Sequence, residues 1–157
     1  MRLTQWTDYT LRVLMYCAAT AGREQPVTIA EIAEGYSISR SHLMKIVQEL
    51  SARGLLETTR GRGGGIRLMK APQDISIGEV IRWTETDFHL VECFEPDTNA
   101  CRLAGQCRLQ GVLGRALQAY LAVLDGVTLA DIMAPSKPAD AQWIRPVGAV
   151  AAAMLKG

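Results

Sequence analysis

The sequence predicts a mainly α fold with one small β-hairpin, and three observations carry that prediction. Apolar side chains recur at helical spacing over most of the chain. Thr28, Ser39, Ser76 and Thr128 stand where helices should begin, as side-chain acceptors suited to the N-cap. Two short extended runs, LLETT and IRLMK, flank the glycine-rich turn RGRGGG.

The first helix is expected from Thr4 to Ala21, ended by Gly22. Trp6, Tyr9, Leu11, Val13, Leu14, Tyr16 and Cys17 cover more than one of its faces, so it should be buried on two sides. Thr28 opens the second helix, Glu31 completes a capping box, Ile29, Ile32 and Ala33 point inward, and Gly35-Tyr36 stops it. Ser39 opens the third, with Leu43, Ile46, Val47 and Leu50 as its inner stripe and an end near Gly54. The hairpin follows at once. Ser76 and Glu79 form a second capping box, opening a helix to about Glu85. Residues 86–108 lack periodicity and hold three cysteines. Leu109, Leu113, Leu117, Tyr120 and Leu124 mark a long helix, with a second apolar stripe of Val112, Ala116, Ala119 and Val123 beside the first. A short helix runs from Thr128 to about Ala134, and the tail from Pro135, with three prolines and then VGAVAAAML, leaves loop, helix and disorder open.

A short helix, a tight turn, a second helix and a hairpin make a winged helix-turn-helix. The organisation expected is a winged helix-turn-helix DNA-binding domain at 1–85, a cysteine-rich loop at 86–108, dimerisation helices at 109–134 and a tail at 135–157. The long helix carries the dimer expectation, because one stripe can pack on its own domain and the other needs a partner.

Of 157 residues, 48% are hydrophobic and 21% charged, which supplies a core and excludes disorder of the whole chain. No run of 18 apolar residues predicts a membrane span, and MRLTQWTDYT has no apolar signal core, so a cytoplasmic location is expected. The net charge of +1 hides an asymmetry: residues 1–70 hold ten basic and six acidic side chains, residues 71–157 seven and ten. Between Arg40 and Lys70 seven basic residues face two acidic ones, which fits one polyanion-binding face as well as a solvated one.

Within that segment the DNA-contacting candidates are Thr28, Ser39, Arg40, Ser41, His42 and Lys45 around the second and third helix starts, and Arg60, Arg62, Gly63, Gly64 and Arg67 in the wing. Arg40 can reach a guanine edge or a phosphate, and Ser and His can do either more weakly. Glycine lets the wing backbone approach closely and take positive φ, and arginine on a thin loop suits the minor groove or the phosphates. GRGGG is not followed by the Gly-Lys-Ser/Thr of a P-loop. The competing use of such a fold is protein contact. An enzyme is not expected: there is no Ser–His–Asp order, no catalytic carboxylate pair, and His42 and His89 are the only histidines.

Cys93, Cys101 and Cys107 are spaced C-x7-C-x5-C, which matches neither a zinc knuckle nor a C-x-x-C redox motif. Loosely spaced thiolates on one loop suit an iron–sulfur centre, and zinc, a redox disulfide and structural thiols stay open on spacing alone. Cys17 lies mid-helix on an apolar stretch and reads as a small buried hydrophobe.

The chain resembles the NsrR-type nitric-oxide-sensing repressors, within the wider winged-helix family that includes the IscR iron–sulfur regulators. The resemblance rests on LTQWTDYTLRVLMY, ISRSHLMKIVQELSARGLLETTRGRGGGIRL, ISIGEVIR, the three cysteines ending in CRL, and ALQAYLAVLDGVTLADI, together about residues 1–134. It implies that Cys93, Cys101 and Cys107 hold an iron–sulfur cluster, 4Fe–4S preferred and 2Fe–2S the alternative. It implies a homodimer that binds AT-rich inverted repeats and releases them when nitric oxide reacts. Where IscR-type relatives place a histidine ligand three residues after the last cysteine, this chain has Gln110. The NsrR pattern instead implies Asp8 of the partner subunit as fourth ligand. Against it stands Asp8 as a first-turn residue offsetting the helix dipole, with Glu85, His89 and Glu92 as other ligand candidates. An IscR-like regulator of cluster assembly and a metal-free cysteine switch are the rival functions.

Overall fold

The computed structural model describes residues 2–135. Among them are helices α1 (Gln5–Ala19), α2 (Ile29–Tyr36) and α3 (Arg40–Ala52), strands β1 (Leu56–Thr59) and β2 (Gly65–Leu68), and helices α4 (Ile77–Thr84), α5 (Arg108–Asp125) and α6 (Leu129–Met133). Short 3₁₀ turns at Pro72–Asp74 and Glu92–Phe94 complete the order. Apart from Pro135, the expected tail lies outside the described residues.

The predicted caps set the helix starts. Thr28 Oγ1 accepts from Glu31 N–H (3.2 Å) while Glu31 returns to Thr28 N–H (2.7 Å). Ser39 Oγ accepts from His42 N–H, and Thr128 and Asp131 form a second full capping box. Ser76 accepts from Glu79 N–H, one half of the box expected there. The first helix is shorter than expected, because Thr20 caps it and donates its hydroxyl to the Tyr16 carbonyl (2.8 Å).

α1 is the central element and packs against α3, α4, α6 and β2; its fully buried residues Thr7, Thr10, Val13, Leu14 and Cys17 share one face, and Trp6, Tyr9, Leu11 and Tyr16 are partly buried around it. The whole predicted stripe of α3, Leu43, Ile46, Val47 and Leu50, is buried in the same core. Ile32 of α2, Leu56 of β1, Ile81 of α4 and Leu129 of α6 complete that core, each at most 1% exposed.

β1 and β2 pair antiparallel, with Leu56 opposite Leu68 and Thr59 opposite Gly65. Val27, just before α2, adds a one-residue bridge to Ile66 (Ile66 N–H to Val27 O, 2.7 Å), which ties the root of the wing to the α1–α2 connection. The hairpin turn depends on its glycines. Gly63 has φ 80°, and a Cβ on Gly64 would meet the Thr59 carbonyl carbon at 2.9 Å.

α5 behaves differently from the rest. It has no buried residue. Its C-terminal end is anchored by the Arg82–Asp125 ion pair and by the bridge between Ser76 and Thr128, while Leu109, Val112 and Val123 stay exposed. Among the described residues no helix is long and apolar enough to cross a membrane.

Candidate functional site

Two sets of side chains mark the surface. The first is the start of α3 with the wing. Ser39, Arg40, Ser41, His42 and Lys45 are all exposed there, because the core stripe of α3 turns the other face outward. Ser39 Oγ lies 3.3 Å from Ser41 Oγ. Tyr9 of α1 meets the His42 ring at a centroid distance of 6.3 Å, and Gln5 Nε2 donates to the Tyr9 hydroxyl (2.7 Å). The first turns of α1 and α3 are therefore neighbours. Thr28 is exposed beside α3, with its hydroxyl oxygen accepting the cap bond. Arg60 and Arg62 are exposed at the wing tip with Gly63 between them and Gly64.

Arg67 lies in β2 of the wing, and its guanidinium donates to the Arg23 carbonyl (3.0 Å) and to the Glu24 carbonyl, so its charge faces the α1–α2 connection. Met44 and Gln48 extend the exposed face beyond the residues expected from the sequence. They are exposed on the same face of α3 as Ser41 and Lys45, and the signal was available as the complement of the buried stripe.

The second set is the cysteine loop. Cys93 sits in the 3₁₀ turn, Cys101 in irregular chain just before the turn at 102–106, and Cys107 at the N-cap of α5. All three thiols are free and half-buried. Gln110, in the first turn of α5, donates to the Cys93 carbonyl (3.1 Å), which holds the first and last cysteines of the loop to one helix end. Asn99 Oδ1 accepts from Cys101 N–H (3.0 Å). Among the described residues no three His, Cys, Asp or Glu side chains are grouped to hold a metal ion.

The other ligand candidates are engaged. Asp8 accepts from Arg12 Nε through both oxygens (3.0 and 3.1 Å), half-exposed on α1. Glu92 accepts from Ala100 N–H (2.8 Å), and His89 Nδ1 lies 2.9 Å from Glu95 Oε2. Glu85, at the C-cap of α4, accepts from Thr4 N–H (2.8 Å) and from the hydroxyls of Thr4 and Thr7. It clamps the start of α1 to the residue that opens the loop. Cys17 is 3% exposed, and burial pushes its thiol up to about 12.

A three-helix core, a glycine-tipped hairpin and an exposed basic helix start define a winged-helix DNA-binding regulator. The chain belongs to the Rrf2 family, described as "Iron-dependent Transcriptional regulator", which it matches over residues 3–135. It is similar to the HTH-type transcriptional regulator NsrR of Bacillus licheniformis, 56% identical over 133 residues that cover 85% of this chain and 92% of that protein. The protein of the same name from Bacillus subtilis is 54% identical, over 85% of this chain and 90% of the relative. Among solved structures, the oxidized form of Staphylococcus aureus CymR matches with a TM-score of 0.69 at 25% identity, covering 87% of this chain and 99% of that one. T. potens IscR matches with a TM-score of 0.66 at 26% identity, covering 85% and 86%. The chain is thus a transcriptional regulator that binds DNA, of an iron-dependent family.

Proposed function

We propose that this regulator is a homodimeric, cytoplasmic repressor of AT-rich inverted repeats, held on DNA by an iron–sulfur cluster and released by nitric oxide. The observation that carries the reading is the set of three free, half-buried thiols on one loop between α4 and the start of α5. The donor set fits the group: thiolates are soft ligands for iron, and Cys107 stands at the N-cap of α5. Cys93, Cys101 and Cys107 would be the holding residues, with Asp8 of the partner subunit as an oxygen ligand. When bound, such a cluster supplies iron that nitric oxide can reach. Glu85 gives the chain a way to transmit the loop's state, since it joins the loop's entrance to α1, and Tyr9 of α1 touches His42 of α3. Ser39, Arg40, Ser41, His42 and Lys45 would meet the major groove with Thr28 beside them, and Arg60, Arg62, Gly63 and Gly64 the backbone or minor groove.

The test is anaerobic purification followed by a nitric-oxide titration, read by absorbance and by DNA binding together. The expected result is a coloured protein whose bleaching and DNA release run in parallel. Serine at Cys93, Cys101 or Cys107 should abolish the colour, and Cys17→Ala should keep it. Mössbauer spectra then separate 4Fe–4S from 2Fe–2S. A colourless protein that shifts on non-reducing gels would overturn the cluster in favour of a thiol switch.

A further inference from the structure

The exposed face of α3 carries Ser41, Met44, Lys45 and Gln48, opposite its buried stripe. Met44 is 60% exposed and, among the described residues, it is the one exposed large apolar side chain on α3. It takes no part in the core. It borders the groove between α3 and the wing, whose other lining residues include Thr28, Gln48, Thr58, Thr59 and Arg60, with no acidic residue among them. Arg40 and Lys45 on α3 and Arg62 in the wing are exposed as well. A groove with a cation and no carboxylate in its lining suits a polyanion. An apolar side chain at the centre of a polar, basic helix face then needs an apolar group on that polyanion. The major groove offers one: the C5 methyl of thymine.

We infer that Met44 is a specificity residue that packs on thymine methyl groups in the major groove. Its unbranched, polarisable side chain can follow the methyl across neighbouring base steps, and Gln48, one turn on, has the donor and acceptor that an adenine edge pairs with. Ser41 and Lys45 flank Met44 on the same face, so backbone contacts and methyl contact are made by one helix surface. The inference rests on α3 as the DNA-reading helix.

The test uses a duplex that the whole, anaerobically purified protein itself selects from random-sequence DNA. Each thymine in turn is replaced by deoxyuridine, which removes only the methyl. The wild type should lose about fourfold in affinity at one or two positions, the ratio that one buried methyl gives. Met44→Ser should bind the thymine and deoxyuridine duplexes alike at those positions, and Met44→Leu should keep the thymine preference. Because Met44 is exposed, both variants should melt with the wild type. If no replacement weakens the wild type, or if Met44→Ser keeps the full preference, the inference is overturned. Arg40→Ala and Lys45→Ala on the same duplexes tell the two failures apart. Weakened specific binding in these variants beside an unchanged Met44→Ser removes Met44 alone, while unchanged binding in all three removes α3 as the reading helix.

Discussion

Arg67 and Cys17 show how far a residue's chemistry depends on what it touches. Arg67 has the charge of a phosphate contact, but its guanidinium is committed to the Arg23 and Glu24 carbonyls. Hydrogen bonds from a charged group to carbonyls on an exposed segment hold roughly 1 kcal/mol. Arg67→Ala should lower unfolding stability by about that much in denaturant titrations and leave the salt dependence of DNA binding unchanged. Arg62→Ala should do the reverse, flattening the salt slope by about one unit with no change in stability. Equal slopes for the two variants would return Arg67 to the DNA surface. For Cys17, burial raises the thiol from 9.0 to about 12 in the folded chain. A raised acid loses its proton later in the folded state than in the unfolded one, so its contribution is complete below pH 9 and fades between 9 and 12. Stability should therefore be lower at pH 10 than at pH 8 by about 1.4 kcal/mol through this group. The difference between wild type and Cys17→Ala, measured at both pH values, isolates it, because every other titration is common to the two proteins.

At the scale of elements, α4 and α5 are joined through a glycine. A Cβ on Gly78 would stand 2.8 Å from the Asp125 backbone nitrogen, and Asp125 is the residue that pairs with Arg82. Gly78→Ala should push the end of α5 away and break that pair, at a cost of roughly 1–3 kcal/mol. Thermal melting checks it, and an unchanged midpoint would mean that α5 can shift without loss. This joint also marks where the sequence stops being legible. The helix starts could be read because Thr28, Ser39 and Thr128 act on backbone groups two or three residues away, within the window that local pattern covers. The α3 stripe could be read because burial repeats with the helical period. The Val27–Ile66 bridge, the Glu85 clamp on Thr4 and the Arg82–Asp125 pair are single contacts between residues 39 to 81 positions apart, and no period announces them. The bonds of Arg67 to Arg23 and Glu24 are silent in the sequence for the same reason, since those partners lie 44 and 43 residues back. In the cysteine loop the three thiols are legible in the sequence and the hold that Gln110 places on Cys93 is not.

At the scale of the whole molecule, α5 leaves an apolar face uncovered. Val112 is 49% and Val123 68% exposed, and Ala116 and Ala119 between them are small enough to let a second helix approach. A face of this kind fits a twofold partner, and two copies would present two α3 helices to the halves of an inverted repeat. It also sets up a test of Asp8, which in the single chain is held by Arg12 on α1 rather than near its own cysteines. Asp8→Ala subunits keep three thiols and lack the carboxylate. Cys93→Ser subunits keep the carboxylate and lack a thiol. In a heterodimer of the two, a carboxylate acting across the dimer completes one site in full, from the cysteines of the first subunit and Asp8 of the second. A carboxylate acting within its own chain completes neither. Anaerobic heterodimers, isolated through two different tags, should therefore show the wild-type absorption spectrum at half the wild-type iron content. The Asp8→Ala homodimer should show an altered spectrum. Val123→Glu in both subunits should abolish dimerisation in sedimentation and with it the wild-type spectrum. A heterodimer whose spectrum matches the Asp8→Ala homodimer would place the carboxylate within its own chain. Identical spectra for wild type and the Asp8→Ala homodimer would leave Asp8 as the partner of Arg12, with Glu85, His89 and Glu92 next in line.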